Sequence, residues 1–505
     1  MSETPREIEL KFAVPAARVA EVALAIPELA GAAPKRQVSV YYDTAKGALR
    51  RAGFALRVRE QGGAFVQTIK DAGDGVMSHG EWETSLGGAK PNLARAKATP
   101  AGRVLSKAGP LAPQFTVEVL RRKADVIEGD SRIELALDEG VAQASGQEAP
   151  FAELEMELKA GPAWGLFALA RRLLASGDLT LSFTSKAARG SALARPPRSF
   201  ARKFKAPRLA ADEATGAAFQ AAAKACLIQI VSNAERLRHR PSAEVIHQAR
   251  VGIRRLRSLI TTFKDVVGDA RLPAIKAELK WLAGELDAAR NLDVLLHGDF
   301  RVALGQREVA EGLKGLSARL RAARRLAYAR AATAVESERF RRLLLDLLIW
   351  IEAGPWTSAP GLAKARERRI ARFAEDALGK RRRKIVRRGR RLAKLDAGER
   401  HKLRIDAKKL RYASDVFEGL FGRPKRAKLF IEALKEVQDV LGQLNDIVVG
   451  ERIAHDSAVG AGLSEADTAF VAGRIAGVQK ARVAPLMERA ETALATFEDA
   501  RPFWK

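Results

Sequence analysis

Residues 6–12 read Arg-Glu-Ile-Glu-Leu-Lys-Phe, so charged and apolar side chains alternate along the segment. Because successive side chains of an extended strand point to opposite faces, Glu7, Glu9 and Lys11 share one face. Two carboxylates and an ammonium on one face are costly to desolvate unless a divalent cation and an anion compensate them. A half-exposed edge strand with a solvated charged face is the alternative interpretation.

The same alternation recurs through the first 190 residues, between clusters of glycine, proline and aspartate that indicate turns. The alternating segments are residues 54–59, 65–70, 81–83, 132–138, 153–159 and 180–186. Closing such strands into a barrel directs their charged faces at one lumen. Carboxylates there would suit a hard divalent cation, and a ring of Arg and Lys would suit phosphates. Together they favour phosphoryl hydrolysis.

The composition predicts at least two domains of different charge. A chain of 505 residues exceeds what one hydrophobic core usually supports. Residues 1–195 carry 26 Lys and Arg against 23 Asp and Glu, whereas the remainder carries 62 against 37. The net charge of +28 therefore lies almost wholly in the second part. Its partner should be a polyanion, such as nucleic acid, an anionic membrane surface or polyphosphate.

Cysteine usage and hydropathy indicate the compartment. Cys226 is the only cysteine, so an intramolecular disulfide is impossible and a reducing compartment is expected. The chain does not open with the pattern of a signal peptide, and no run approaches the roughly 18 apolar residues of a transmembrane helix. We expect a cytoplasmic protein.

The N-terminal segments resemble, in order, the conserved blocks of the CYTH superfamily, the triphosphate tunnel metalloenzymes. The resemblance covers roughly residues 5–195 and rests on Glu7-x-Glu9-x-Lys11, residues 42–44 and 49–59, Lys70, Glu81-Trp82-Glu83, Glu153-x-Glu155-x-Glu157, and Phe183-Thr184-Ser185-Lys186 with Arg189. It implies an eight-stranded antiparallel tunnel with flanking helices that cleaves or rearranges triphosphate compounds with Mg²⁺ or Mn²⁺.

The resemblance also assigns roles to residues of this chain. The implied catalytic residues are Glu7, Glu9 and Lys11. The implied metal ligands are Glu7, Glu9, Glu153, Glu155 and Glu157. The implied triphosphate ligands are Lys11, Arg57, Arg59, Lys70, Lys186 and an arginine near residue 120, either Arg121 or Arg122. His79 stands where a further arginine is expected, and inter-strand salt bridges are the alternative role for each of these residues.

Two helical segments that carry the same basic stripe indicate an internal duplication. On the first helix His247, Arg250, Arg254 and Arg257 recur at helical spacing, within an arc of roughly 80°. The first copy comprises His247, Arg250, Arg254, Arg255 and Arg257, and the second comprises His401, Arg404, Lys408, Lys409 and Arg411. A shorter echo relates residues 286–293 to residues 441–446. A solvated charged face is the alternative to a binding surface.

The repeated pattern resembles the CHAD domain, a conserved-histidine α-helical domain that often follows a CYTH domain. The resemblance implies two duplicated four-helix bundles that bind inorganic polyphosphate through both stripes and Tyr412. The expected fold class is therefore a multidomain α+β protein. Its expected parts are a tunnel domain (1–195), a basic proline-containing linker (196–212) and an all-α domain (213–505, with repeats at about 213–355 and 360–505).

We therefore predict metal-dependent hydrolysis of inorganic triphosphate to phosphate and pyrophosphate, coupled to polyphosphate binding and to an association with polyphosphate granules. The alternatives are a non-catalytic polyphosphate-binding or localising protein, and a CYTH enzyme that acts on thiamine triphosphate or a nucleotide. Specific nucleic-acid binding is disfavoured, because aromatic residues make up only 6% of the chain and no groove-reading motif occurs. No membrane partner is expected.

Overall fold

The computed structural model describes residues 6–176, 178–196, 200–297, 310–459 and 465–505. These residues group into two compact units, Met1–Arg202 with Glu336–Ile349 and Lys203–Val335 with Trp350–Lys505. Within the described ranges, every helix is either too short or too polar to cross a lipid bilayer.

The first unit is built on an antiparallel sheet that closes on itself. Its described strands are β1 (Arg6–Ala13), β2 (Lys35–Thr44), β3 (Phe54–Gln61), β4 (Ala64–Asp71), β5 (Ser78–Leu86), β6 (Leu111–Glu128), β7 (Ser131–Ala144), β8 (Gln147–Ala160) and β9 (Thr180–Leu181). The spatial order is β5-β4-β3-β2-β6-β7-β8-β1, and β1 pairs back onto β5. Eight of the described strands therefore form a closed antiparallel barrel, which confirms the predicted class. The two-residue strand β9 pairs with β1 outside this ring.

Short helices flank the barrel. In the described part of the first unit before residue 200 they are α1 (Val19–Ala25), α2 (Pro27–Ala30), α3 (Ala48–Ala52), α4 (Leu93–Lys97), α5 (Gly102–Leu105), α6 (Ala163–Ser176) and α7 (Lys186–Ala194). Helix α7 packs on β6, β7 and β8. Gly190 permits this approach, because a Cβ at that position would collide with the ring of Phe115.

The closing seam of the barrel is the short pairing of β1 with β5, in which Glu7 lies opposite His79. The turn that leads into β5 is fixed by Asp74, whose Oδ1 accepts hydrogen bonds from three successive backbone amides, those of residues 76–78. Gly73 adopts a φ of +46°, and a Cβ there would collide with the carbonyl oxygen of Ser78. The sequence of this turn thus sets where β5 begins.

The described residues after 212 are helical, as the loss of strand patterns predicts. Their α-helices are α8 (Thr215–His239), α9 (Ala243–Thr262), α10 (Leu272–His297), α11 (Ala310–Glu336), α12 (Glu338–Ala353), α13 (Ala363–Glu367), α14 (Ile370–Gly389), α15 (Ala397–Phe417), α16 (Pro424–Val459) and α17 (Glu465–Asp499). Four long helices, α8–α11, precede residue 337 in the described chain, and four more, α14–α17, follow residue 369.

Helices α9 and α15, which carry the two basic stripes, both begin at capped residues. Ser242 accepts a hydrogen bond from the Val245 amide at the start of α9. Asp396 and Glu399 form a capping box at the start of α15. The two helices pack against each other within the second unit. The duplicated stripes are therefore brought into one neighbourhood.

Candidate active site

The charged faces of the barrel strands meet in the lumen. Lys11 Nζ lies 3.1 Å from Glu155 Oε1 and 3.7 Å from Glu9 Oε1. Lys70 Nζ lies 3.4 Å from Glu7 Oε2 and also pairs with Glu81. These contacts join β1, β4, β5 and β8, so the charged side chains that strand alternation placed on one face do converge.

Two further cations lie in the most buried part of the lumen. The Arg121 guanidinium donates at 2.6 Å to Asp138 Oδ1 and at 2.7 Å to Glu155 Oε2. Lys186, the first residue of α7, lies 2.7 Å from Asp138 Oδ2 and 2.9 Å from Glu155 Oε1, and it pairs with Glu153. Asp138 and Glu153 are 0% exposed. Contacts with cations offset the cost of burying such carboxylates.

The protonation states of these groups are strongly coupled to one another. Burial alone would lower the pKa of Lys11, but the carboxylates of Glu155 and Glu9 outweigh it and raise that pKa. Burial alone would raise the pKa of Glu155, but Lys186 and Lys11 outweigh it and hold that pKa well below its usual range. At neutral pH the lumen is therefore lined by charged groups of both signs.

Three carboxylates that no arginine contacts in the described residues, those of Glu7, Glu9 and Glu157, lie near the seam. Glu9 is opposite Glu157 in the pairing of β1 with β8. Burial raises the pKa of Glu157, a hydrogen bond from Lys159 partly offsets this, and the charge of Glu7 raises the pKa further. Oxygen donors that repel one another in this way suit a hard divalent cation, so Glu7, Glu9 and Glu157 fit Mg²⁺ or Mn²⁺.

His79 belongs to the same neighbourhood. Its Nε2 lies 2.9 Å from Glu7 Oε2 and 3.3 Å from Lys70 Nζ, and its Nδ1 lies 3.9 Å from Glu9 Oε1. Burial would lower the pKa of His79, but hydrogen bonds with Glu7 and Glu81 raise it to about 9. Only the family resemblance singles out this position, as one where an arginine is expected, because the β1–β5 register is not visible in either strand alone.

The remaining predicted triphosphate ligands divide between the two faces of the sheet. Arg57 Nη2 lies 3.4 Å from Glu81 Oε1, and Arg59 Nη2 lies 3.3 Å from Glu83 Oε1. Both arginines belong to the charged side chains of the lumen. Arg122 instead donates at 2.8 Å to the carbonyl oxygen of Ala32, on the face of β6 opposite to Arg121. Asp138 was not predicted as part of the site, although the alternation along 132–138 placed it on a charged face.

In the second unit, part of each basic stripe and Arg290 of α10 lie close together. We call this group the basic surface; it comprises His247, Arg250, Arg254, Arg290, Arg404 and Lys408. Burial, Arg404 and Arg254 lower the pKa of Lys408 to about 7. Burial lowers the pKa of Arg250 to about 10, although Asp287 partly offsets this. Cations contributed by both halves of the duplication therefore repel one another across the helix pair.

Burial and nearby positive charge also affect other members of the basic surface. Burial and the charge of Arg290 lower the pKa of His247 to about 4, so this imidazole is neutral at physiological pH. The Nε atoms of Arg254 and Arg404 are buried and donate to no acceptor within the described ranges. Arg290 lies on α10 and was missed by sequence reasoning, although the echo between 286–293 and 441–446 includes it.

Several predicted polyphosphate ligands lie apart from the basic surface. Arg255 is only 6% exposed, donates at 2.7 Å to Asp415 and lies over the rings of Phe204 and Tyr412. Arg255 therefore already has an anionic partner, whereas phosphate binding by Arg255 and Tyr412 stays a prediction.

The second stripe also contains residues with other neighbours. His401 Nδ1 pairs with Asn445 Oδ1, and Arg411 donates at 3.4 Å to Gln438. Lys409 is partly buried, and Arg257 of the first stripe is exposed.

Comparisons with known proteins agree with this division of the chain. Residues 5–191 match the family model of the CYTH domain, and residues 221–455 match that of the CHAD domain. An inorganic triphosphatase from Haemophilus influenzae is 30% identical over 163 residues, which are 30% of this chain and 44% of that protein. The match therefore spans less than half of that relative.

Among solved structures, the crystal structure of the CHAD domain from the plant Ricinus communis is 30% identical, with a TM-score of 0.52. The match covers 59% of this chain and 97% of that one. PptA from Streptomyces chartreusis is 21% identical with a TM-score of 0.40, covering 57% of this chain and 99% of that one.

Proposed function

Since this chain carries a CYTH domain at residues 5–191 followed by a CHAD domain at residues 221–455, we propose that it is a metal-dependent inorganic triphosphatase with a polyphosphate-binding helical unit. The proposed reaction is hydrolysis of tripolyphosphate to phosphate and pyrophosphate inside the barrel. The observation that carries the proposal is the convergence on one lumen, beside buried carboxylates, of Lys11, Arg57, Arg59, Lys70, Arg121 and Lys186.

The carboxylates divide into two roles. Glu7, Glu9 and Glu157 would hold Mg²⁺ or Mn²⁺, since oxygens of Glu7 and Glu9 lie within 4.8 Å of each other and the charge of Glu7 raises the pKa of Glu157. The ion, when bound, supplies positive charge that lowers the barrier to attack at phosphorus. Glu153 and Glu155 contact Lys186 directly, so we propose that they position the phosphate-binding cations.

The cations of the lumen would bind the phosphate chain. Lysine and arginine donate charge-assisted hydrogen bonds to phosphoryl oxygens, and they stabilise the charge that develops on the leaving pyrophosphate. Bound triphosphate would compete with Asp138 and Glu155 for Arg121 and Lys186. These carboxylates keep both cations oriented before substrate arrives.

An aromatic cluster lies beside one of the lumen cations, Lys186. Tyr41 stacks on Phe115 with ring centroids 4.6 Å apart, and both pack with Phe151 and α7. The Lys186 ammonium lies 5.9 Å from the centroid of the Phe151 ring.

The proposal is tested by phosphate release from tripolyphosphate with Mg²⁺ or Mn²⁺. We expect metal-dependent release by the intact protein and a loss of about 100-fold or more in Glu7→Gln, as is typical when a group acting on the transition state is removed. Glu118→Gln is the matched control, because Glu118 is exposed and pairs with Arg36. Absence of release from tripolyphosphate, ATP and thiamine triphosphate would favour a binding protein instead.

For the second unit, we propose that the basic surface binds inorganic polyphosphate. The buried, unpaired Nε atoms of Arg254 and Arg404 and the mutual repulsion of the cations support a polyanionic ligand. Polyphosphate should bind the intact chain more tightly than RNA at fixed salt. Arg254→Gln with Arg404→Gln should abolish that preference, whereas Arg372→Gln, at an exposed pair with Glu375, should not. Equal affinity for RNA would contradict the proposal.

A protein with these two activities would accompany polyphosphate stores in the cytoplasm. Fluorescent tagging of the intact chain tests this placement. Diffuse signal in cells that contain granules would contradict it.

A further inference from the structure

The register of β1 with β5 places an imidazole among the carboxylates proposed to hold the cation. Glu7 and His79 are directly opposite each other, and the candidate ligand atoms of Glu7, Glu9 and His79 all lie within 4.8 Å of one another. The His79 side chain is only 12% exposed. A cation held by Glu7 and Glu9 would therefore be within reach of an imidazole nitrogen.

The backbone on both sides of His79 is fixed before any ligand binds. Asp71 Oδ1 accepts hydrogen bonds from the amides of Gly73 and Gly80, each at 2.8 Å. Asp74 Oδ1 accepts a hydrogen bond from the Ser78 amide at 3.0 Å. A side chain held on such a backbone loses little conformational entropy when it coordinates an ion.

We propose that His79 is a direct ligand of the tunnel cation and shifts the preference of the site from Mg²⁺ towards transition-metal ions. The inference rests on the proposed function for the location of the cation. Mg²⁺ favours all-oxygen coordination and dehydrates reluctantly, whereas imidazole nitrogen suits first-row transition metals. Coordination requires the neutral imidazole, so a bound cation would displace the proton that the contacts with Glu7 and Glu81 favour. An arginine, the residue expected at this position, has no lone pair to offer a metal. A role limited to hydrogen bonding with Glu7 is the competing explanation.

The test uses the full-length, metal-free protein without any phosphate compound. Mn²⁺ affinity is measured from the free-ion signal in electron paramagnetic resonance, and Mg²⁺ affinity by calorimetry. In His79→Gln, whose amide still donates a hydrogen bond, we expect Mn²⁺ affinity to fall about tenfold or more and Mg²⁺ affinity to change less than about threefold. His239→Gln is the control, because His239 lies at the end of α8 in the second unit. Equal losses for both ions, or none, would overturn the proposal.

A spectroscopic readout on the unsubstituted protein does not depend on how well a variant folds. Electron spin-echo modulation of Mn²⁺ bound to the unsubstituted protein should show coupling to an imidazole nitrogen, and His79→Gln should lack it. Its absence in the unsubstituted protein would mean that His79 is not a ligand. Because substrate is omitted, failure here is distinguishable from failure of the hydrolase proposal, which phosphate release tests separately.

Discussion

Glu9 of β1 lies directly opposite Glu157 of β8, on neighbouring strands of the barrel. Like charges in this position destabilise a sheet. Lys159 Nζ offsets part of this cost at 2.7 Å from Glu157 Oε1, but burial still raises the pKa of Glu157. The stability of the barrel therefore depends on the ionisation of Glu157.

The first prediction concerns stability without metal. Because the folded protein raises the pKa of Glu157, the folded state binds this proton more tightly than the unfolded state does. The associated stability is present below the unfolded pKa and is lost as the pH rises through the folded pKa. In chelator, we expect Glu157→Gln to raise the Tm of the barrel by about 1–3 °C at alkaline pH and to have no effect at acidic pH. Thermal melts across pH check this, with exposed Glu148→Gln as control. A pH-independent shift would contradict it.

The second prediction separates two adjacent arginines. Arg121 contacts Asp138 and Glu155 in the lumen, whereas Arg122 contacts a carbonyl on the opposite face. We expect Arg121→Lys to lower kcat/KM for tripolyphosphate about 100-fold, because lysine cannot donate the two parallel hydrogen bonds by which a planar guanidinium binds a phosphate. Arg122→Lys should change it less than about threefold. Circular dichroism confirms folding of both variants, and equal effects on kcat/KM would contradict the assignment.

The third prediction concerns the pH dependence of polyphosphate binding. The lowered pKa of Lys408, about 7, means that this amine is largely neutral at alkaline pH. A polyanion favours its charged form, so binding above neutrality should take up a proton and affinity should fall as the pH rises. Calorimetry in two buffers of different ionisation enthalpy measures the uptake. We expect Lys408→Arg to remove it, whereas His401→Gln should not. Identical uptake in Lys408→Arg would refute this.

The fourth prediction distinguishes Arg255 from its neighbour Arg254. Arg255→Met breaks a buried ion pair with Asp415 and should lower the free energy of unfolding of the helical unit by about 3 kcal/mol. Its polyphosphate affinity should be nearly unchanged at a temperature where it is folded. Arg254→Met should leave the free energy of unfolding unchanged and weaken polyphosphate binding by about tenfold. Urea denaturation and calorimetry measure the two quantities, and the opposite pattern would refute the division.

Alternation along single strands was sufficient to predict which charged residues share a face, as for Glu7, Glu9 and Lys11. It could not decide between Arg121 and Arg122, because which face of a strand looks into the lumen depends on pairing with its neighbours. The contact of His79 with Glu7 joins residues 72 positions apart and arises only when the barrel closes. No local pattern contains that information.

The helical half shows the same limit. Spacing on a helix places Arg254 beside Arg255 but does not say which one another segment covers. Phe204 and Tyr412 lie against Arg255, whereas Arg254 joins the basic surface. Arg290 comes from a third helix, so its charge beside His247 could not be inferred from either stripe.

The seam between β1 and β5 consists of three residue pairs, whereas β7 and β8 share thirteen. The proposed cation ligands lie on β1, β8 and β5, the three strands that meet there. Metal binding and closure of the barrel would then be thermodynamically linked. Removing the ion with a chelator would favour local opening of the seam between β1 and β5. The amide hydrogen of Glu9, which donates to the Met77 carbonyl oxygen at 2.8 Å, would exchange faster with solvent deuterium once the ion is removed, while those of β7 would keep their protection.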